Sequence, residues 1–135
     1  MSPSKPQGGV RVLLVGDVIA KPGVEAVKRL LPGLLRSESV DFCIVNGENV
    51  EQGKGLVPSA ARELFDAGAD VITGGNHTLY RDKIHDMMEA DRRLLRPLNF
   101  PEGSAGRGMG IFDIRGGRRI AVLNLQGRAL LPSIV

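Results

Sequence analysis

Five residues in this chain, Asp17, Glu48, Asn49, Asn76 and His77, have types and spacing that suit joint chemistry. Each follows a short apolar run. Gly16-Asp17 closes Val10–Val15, Asn46-Gly47-Glu48-Asn49 closes Asp41–Val45, and Gly74-Gly75-Asn76-His77 closes Asp70–Thr73. Ligands of open α/β sheets bind outside the carboxyl ends of the strands, so residues at these positions converge on one rim. Carboxylates, carboxamides and an imidazole gathered there form the oxygen-plus-nitrogen donor set of hard and borderline divalent metals. Singly, Asp17 would cap a turn, and Asn46, Asn49 and Asn76 would suit left-handed turn backbone. Their placement after three successive runs is what points to a metal site. His85 lies among Lys83, Asp86 and Glu89 and is expected on a solvated face.

The elements that must hold these residues follow from the apolar spacing. Val10–Gly16 is a β-rich run that suits a strand buried on both faces. Pro22 sits where a helix can begin, and Val24, Val27, Leu31, Leu34 and Leu35 recur at helical spacing, with Pro32 expected to kink or shorten that helix. A second strand over 41–46 leads to a helix from about Pro58 to Ala67, stopped by Gly68. A short strand over 70–73 precedes a third helix near Arg81–Ala90, which places Ile84, Met87 and Met88 on one side. Arg96–Gly103 reads as irregular. Runs over 110–115 and 118–125, joined by Gly116-Gly117, read as a hairpin. The fold class is therefore α/β, a parallel βαβαβ sheet with flanking helices and a C-terminal β-hairpin.

Composition supports this reading. The 135 residues fit one domain, with 42% hydrophobic and 24% charged side chains, so disorder and coiled coil fit poorly. Residues 1–9 read as a disordered lead-in without the apolar core of a signal peptide, and residues 10–135 as the domain. No apolar run approaches the roughly 20 residues a bilayer needs. The one cysteine, Cys43, sits in an apolar run and is expected as a buried thiol, which suits the cytoplasm. Residues 92–135 hold 8 Lys/Arg against 2 Asp/Glu, yet these arginines are scattered with few aromatics, so a solvated basic face is expected over dedicated nucleic-acid binding.

Two phosphate-loop patterns fail on spacing. Gly47–Gly55 has five residues between Gly47 and Gly53 where a P-loop has four, and Gly55 stands where Ser or Thr should hold magnesium. Gly106-Arg-Gly108-Met-Gly110 precedes a hairpin and does not link a strand to a helix, as a dinucleotide fingerprint must.

Gly16-Asp17-Val18, Asn46-Gly47-Glu48-Asn49, Gly53-Lys54-Gly55, Gly75-Asn76-His77-Thr78, Arg96–Gly103 and Asn124-Leu125-Gln126-Gly127-Arg128, in this order, resemble the calcineurin-like metallophosphoesterases. The likeness is to the bacterial branch that acts on phosphodiesters such as 2′,3′-cyclic nucleotides. It runs from Val10 to about Arg128 and covers that family's N-terminal half, which implies half of a calcineurin-like α/β sandwich. The resemblance further implies two divalent metal ions, Mn or Fe foremost with Mg or Zn as alternatives. Asp17 would ligate the first, Glu48 would bridge, and Asn49 and Asn76 would bind through side-chain oxygen. His77 would be the general acid, since imidazole titrates near the working pH. Arg96 is a candidate for holding substrate phosphate. Two divalent ions, two carboxylates and a bridging hydroxide would leave a net positive site suited to an anionic substrate.

The sequence departs from the family at one point. Members take further metal-ligating histidines from their second half, and this chain has none beyond His85. The second metal site is thus expected to be incomplete, and a non-catalytic module that binds a metal or nucleotide is the alternative. A receiver-like signalling domain fits less well, because Asn-His after the third strand has no role there. The half sandwich would also leave an apolar sheet face open, so a homo-oligomer is expected.

Overall fold

The computed structural model describes residues 8–114, 116–127 and 129. The lead-in residues 1–7, Arg115 at the expected strand end, Arg128 of the last motif and residues 130–135 lie outside the described residues. Strands β1 (Val12–Val15), β2 (Phe42–Asn46), β3 (Val71–Thr73) and β4 (Leu94–Leu95) form a four-stranded parallel sheet in sequential order. Helices α1 (Ala20–Ser37), α2 (Pro58–Asp66) and α3 (His85–Ala90) make the crossovers, with a 3-10 turn at Asp82–Ile84 leading into α3. Strands β5 (Met109–Ile114) and β6 (Arg118–Leu123) form an antiparallel hairpin across Gly116-Gly117, both at positive φ. The expected fold class is borne out.

Four details differ from expectation. Helix α1 begins at Ala20 and runs unbroken through Pro32. Pro22 lies in its first turn, where backbone N–H groups have no intrahelical partner, and the buried stripe Val24, Val27 and Leu31 holds the helix past Pro32. The third helix is split, because its first turn winds as 3-10 before α3. Strand β4, only two residues long, carries no periodic signal. His85 is half-buried, with Nε2 3.2 Å from the Leu79 carbonyl.

The sheet separates two apolar clusters. On the helix side, Val24, Val27, Leu31, Val45, Ala61, Leu64, Ile72, Ile84 and Met88 close around Cys43, whose thiol burial pushes up to about 11. On the other side, Phe112 and Val122 of the hairpin pack on Phe42, Val71 and Leu95, with Phe42 and Phe112 ring centroids 5.7 Å apart. The hairpin leaves β1 uncovered. Leu14 is 72% exposed, and Ile111, Met109 and Leu123 also face outward. No helix among the described residues is long and apolar enough to cross a membrane.

Candidate metal centre

The rim is built by hydrogen bonds that extend the parallel ladder beyond the strand ends. Val18 N–H donates to Asn46 O at 3.1 Å, Gly47 N–H to Thr73 O at 3.0 Å, and Gly74 N–H to Leu95 O at 2.9 Å. The loops after β1, β2 and β3 therefore stay in register, and their polar residues are brought together. Ala20 N–H adds a 3.0 Å bond to Asn49 O, although Ala20 itself sits at φ 53°. Left-handed backbone at a non-glycine residue costs free energy, and such strain clusters at functional sites.

Asn49 stands at the centre. Its Nδ2 donates to both carboxylate oxygens of Asp17, at 2.9 and 2.8 Å, and its Oδ1 lies 2.7 Å from His77 Nδ1. Glu48 approaches from the same loop, its backbone N–H directed at Asn46 Oδ1 (3.4 Å) and its Oε2 accepting from His77 N–H at 3.3 Å. Gly75 makes this approach possible, because a Cβ there would stand 2.3 Å from Glu48 Oε2. Thr78, almost fully buried, donates from its hydroxyl to Gly75 O at 2.8 Å and fixes the turn that carries Asn76 and His77. Asn76 lies exposed on that turn.

These residues fit a hard divalent cation in part. The paired Asp17 oxygens already share one donor nitrogen, Asn49 Nδ2, and rotating the Asn49 amide would turn its oxygen toward the same point, where a cation can be shared by both. The space that glycine leaves at position 75 holds the second carboxylate beside them. Among the described residues no three His, Cys, Asp or Glu side chains form a metal-holding group, so the carboxamides must complete the set.

Arg96 is placed differently from the other candidates. Its guanidinium donates to Pro97 O at 2.9 Å and Ser104 O at 3.3 Å, which ties the 96–104 loop to itself. The sequence reading missed Asn124. Its Nδ2 donates to Gly74 O and Leu95 O, both at 2.9 Å, while its backbone bonds Gly108 and Leu98, so one side chain clamps the hairpin onto the ends of β3 and β4. Its position inside the last quoted motif was the available signal. Gln126, in the same motif, has a buried Oε1 with no partner among the described residues.

The family model described as YmdB-like protein matches residues 13–135. A 2′,3′-cyclic-nucleotide 2′-phosphodiesterase of Bacillus subtilis (strain 168) is 42% identical over 125 residues, covering 93% of this chain and 47% of that protein. The crystal structure of a hypothetical protein from Thermus thermophilus superposes with a TM-score of 0.86 at 34% identity, over 93% of this chain and 48% of that one. A structure described as a novel phosphatase of Mycoplasma pneumoniae gives a TM-score of 0.81 at 32% identity, over 91% of this chain and 44% of that one. The chain spans about half the length of the curated relatives it matches.

Proposed function

The chain belongs to the YmdB-like protein family, and from that membership we propose that it carries the N-terminal half of a metal-dependent phosphodiesterase that hydrolyses phosphodiesters such as 2′,3′-cyclic nucleotides. The single observation that supports this reading is the contact chain Asp17–Asn49–His77, with Glu48 beside it, on the rim after three parallel strands. Asp17, Glu48, Asn49 and Asn76 would hold divalent metal ions. Such ions, when bound, activate water as nucleophile and neutralise phosphate oxygens. The chain's own residues orient and deliver protons. Asn49 orients the imidazole of His77 at Nδ1; with the amide turned so that its oxygen faces the cation, Nδ2 would donate to Nδ1 and leave the proton on Nε2, where it can pass to a leaving oxygen. Glu48 steadies the same loop through the His77 backbone N–H.

Manganese or iron is the metal the family likeness favours for these carboxylate and carboxamide ligands, and magnesium or zinc is the alternative. The exposed apolar residues around Leu14 support the expected self-association. The second reading, a metal- or nucleotide-binding module without turnover, is favoured by the lack of a third acidic or imidazole ligand among the described residues. Hydrolysis of bis(p-nitrophenyl) phosphate by the purified chain with manganese separates the two. Chelator-sensitive turnover is expected; soluble, folded chain without turnover would select the binding module.

A further inference from the structure

Beside the candidate metal centre lies a group of residues that the metal site does not use. The loop over 48–55 folds back on itself, with Gly55 N–H donating to Glu48 O at 2.7 Å, Lys54 N–H to Glu51 O at 2.9 Å and Glu51 N–H to Gly55 O at 2.9 Å. Gly55, at φ 98°, packs directly under the next loop, for a Cβ there would stand 2.8 Å from Arg81 Cγ. Tyr80 N–H donates to His77 O at 3.0 Å, so the same turn carries the candidate general acid and this aromatic ring. Lys54 Nζ sits 4.2 Å from the Tyr80 ring centroid, and the Arg81 guanidinium carbon 5.1 Å from it. Arg81 Nε donates to Lys54 O at 3.3 Å, which joins the two loops.

Two cations are thus gathered on one ring. No carboxylate among the described residues lies within 4.0 Å of either, Glu51 and Asp82 included. Several other arginines are engaged locally: Arg93 with Asp91, Arg96 with carbonyl oxygens, Arg107 with Glu89 O, and Arg92 over Phe112. Like charges held together without a counter-ion repel, and the Tyr80 face offsets only part of that cost. An anion that meets both would relieve it, and Arg and Lys both suit phosphate.

We propose that Lys54, Tyr80 and Arg81 form a second anion subsite, which takes a further phosphate group of the substrate beside the scissile phosphodiester. This rests on the phosphodiesterase reading and sharpens its substrate class, to phosphodiesters that carry an additional phosphate, such as a 5′-phosphorylated dinucleotide. Tyr80 holds the two cations in place; Lys54 and Arg81 make the charge-assisted contacts.

Tyr80 is the chain's one tyrosine, so its ring resonances report on this place alone. In metal-free buffer, the ring signals are followed by NMR during titration with thymidine dinucleotide, with and without a 5′-phosphate, and with inorganic pyrophosphate. The 5′-phosphate is expected to tighten binding by about tenfold or more, the worth of one or two charge-assisted hydrogen bonds. That advantage is expected to disappear in Lys54→Ala/Arg81→Ala and to persist in Lys54→Arg. Equal binding of the two dinucleotides, or the same advantage in the double variant, would overturn the proposal. Pyrophosphate binding without a 5′-phosphate advantage would also overturn it, since the site would then take free anion and no part of a substrate. Turnover is not read, so a chain that shows the advantage but hydrolyses nothing keeps the subsite and fails the phosphodiesterase reading alone.

Discussion

The two ends of the parallel sheet are both acidic, and they use their carboxylates in opposite ways. At the amino end a cavity of about 720 Å³ is lined by Arg36, Asp41, Asp70 and Asp113. Two of its carboxylates serve the backbone: Asp41 accepts from Arg11 N–H at 2.7 Å, and Asp70 from Cys43 N–H at 2.7 Å. At the carboxyl end Asp17 is met by the Asn49 side chain and Glu48 lies in a space cleared by a glycine, and the Asp17–Asn49 contact is exposed. The amino-end cavity thus has carboxylates that serve the backbone, and the carboxyl-end rim is the proposed site of chemistry. Strand polarity decides this, because loops leaving the carboxyl ends can present polar groups to a ligand while carboxylates at the amino ends cap strand N–H groups.

The comparison breaks most visibly at His77. His77→Ala is expected to slow manganese-dependent phosphodiester hydrolysis by about 10²–10⁴-fold, the worth of general acid catalysis, with thermal stability retained. An unchanged rate would remove His77 from the mechanism. Gly75→Ala comes next. The added methyl must displace the Glu48 carboxylate, so manganese affinity measured by calorimetry should fall about tenfold or more, in the range set by disturbing groups that orient a metal site. Equal affinity would show that Glu48 is not part of the site.

The smallest effect lies at the other end. Burial holds the Asp70 carboxyl above its ordinary value of 3.8, against the opposing Cys43 N–H bond and Arg93 charge. A folded state that binds the proton more tightly gains stability that is full below the ordinary value and is lost as pH rises through the raised one. Asp70→Asn should remove that loss, so urea midpoints of the wild type should fall relative to the variant as pH rises above the ordinary value of 3.8. Asp91 works in the opposite sense. Its hydrogen bonds to Arg93 lower its carboxyl, and the stability they supply is lost only as pH falls below the ordinary value. A parallel pH dependence in both proteins would contradict the assignment at Asp70.

Much of the fold was legible because β1, β2 and β3 are apolar runs closed by polar residues, and because the stripe Val24, Val27 and Leu31 repeats at helical spacing. Strand β4 was not, since two residues cannot show a period, and its pairing is set by β3 and by the Asn124 clamp. Pro32 misled because local propensity yields to a buried stripe. The site residues were legible as positions after strands, whereas their contacts were not. That Asn49 would bridge Asp17 and His77, or that Gly75 would make room for Glu48, depends on loop conformations that no spacing encodes. Tyr80 was unreadable for a similar reason, as its partner Lys54 comes from a different loop.

The central claim is that the carboxyl-end rim binds a divalent metal beside His77. The chain has only two histidines, so the His77 ring resonances can be followed directly while manganese is added. Broadening of the His77 signals at substoichiometric manganese, lost in Asp17→Ala, is the predicted result. No broadening at His77, or the same broadening in Asp17→Ala, would contradict the account.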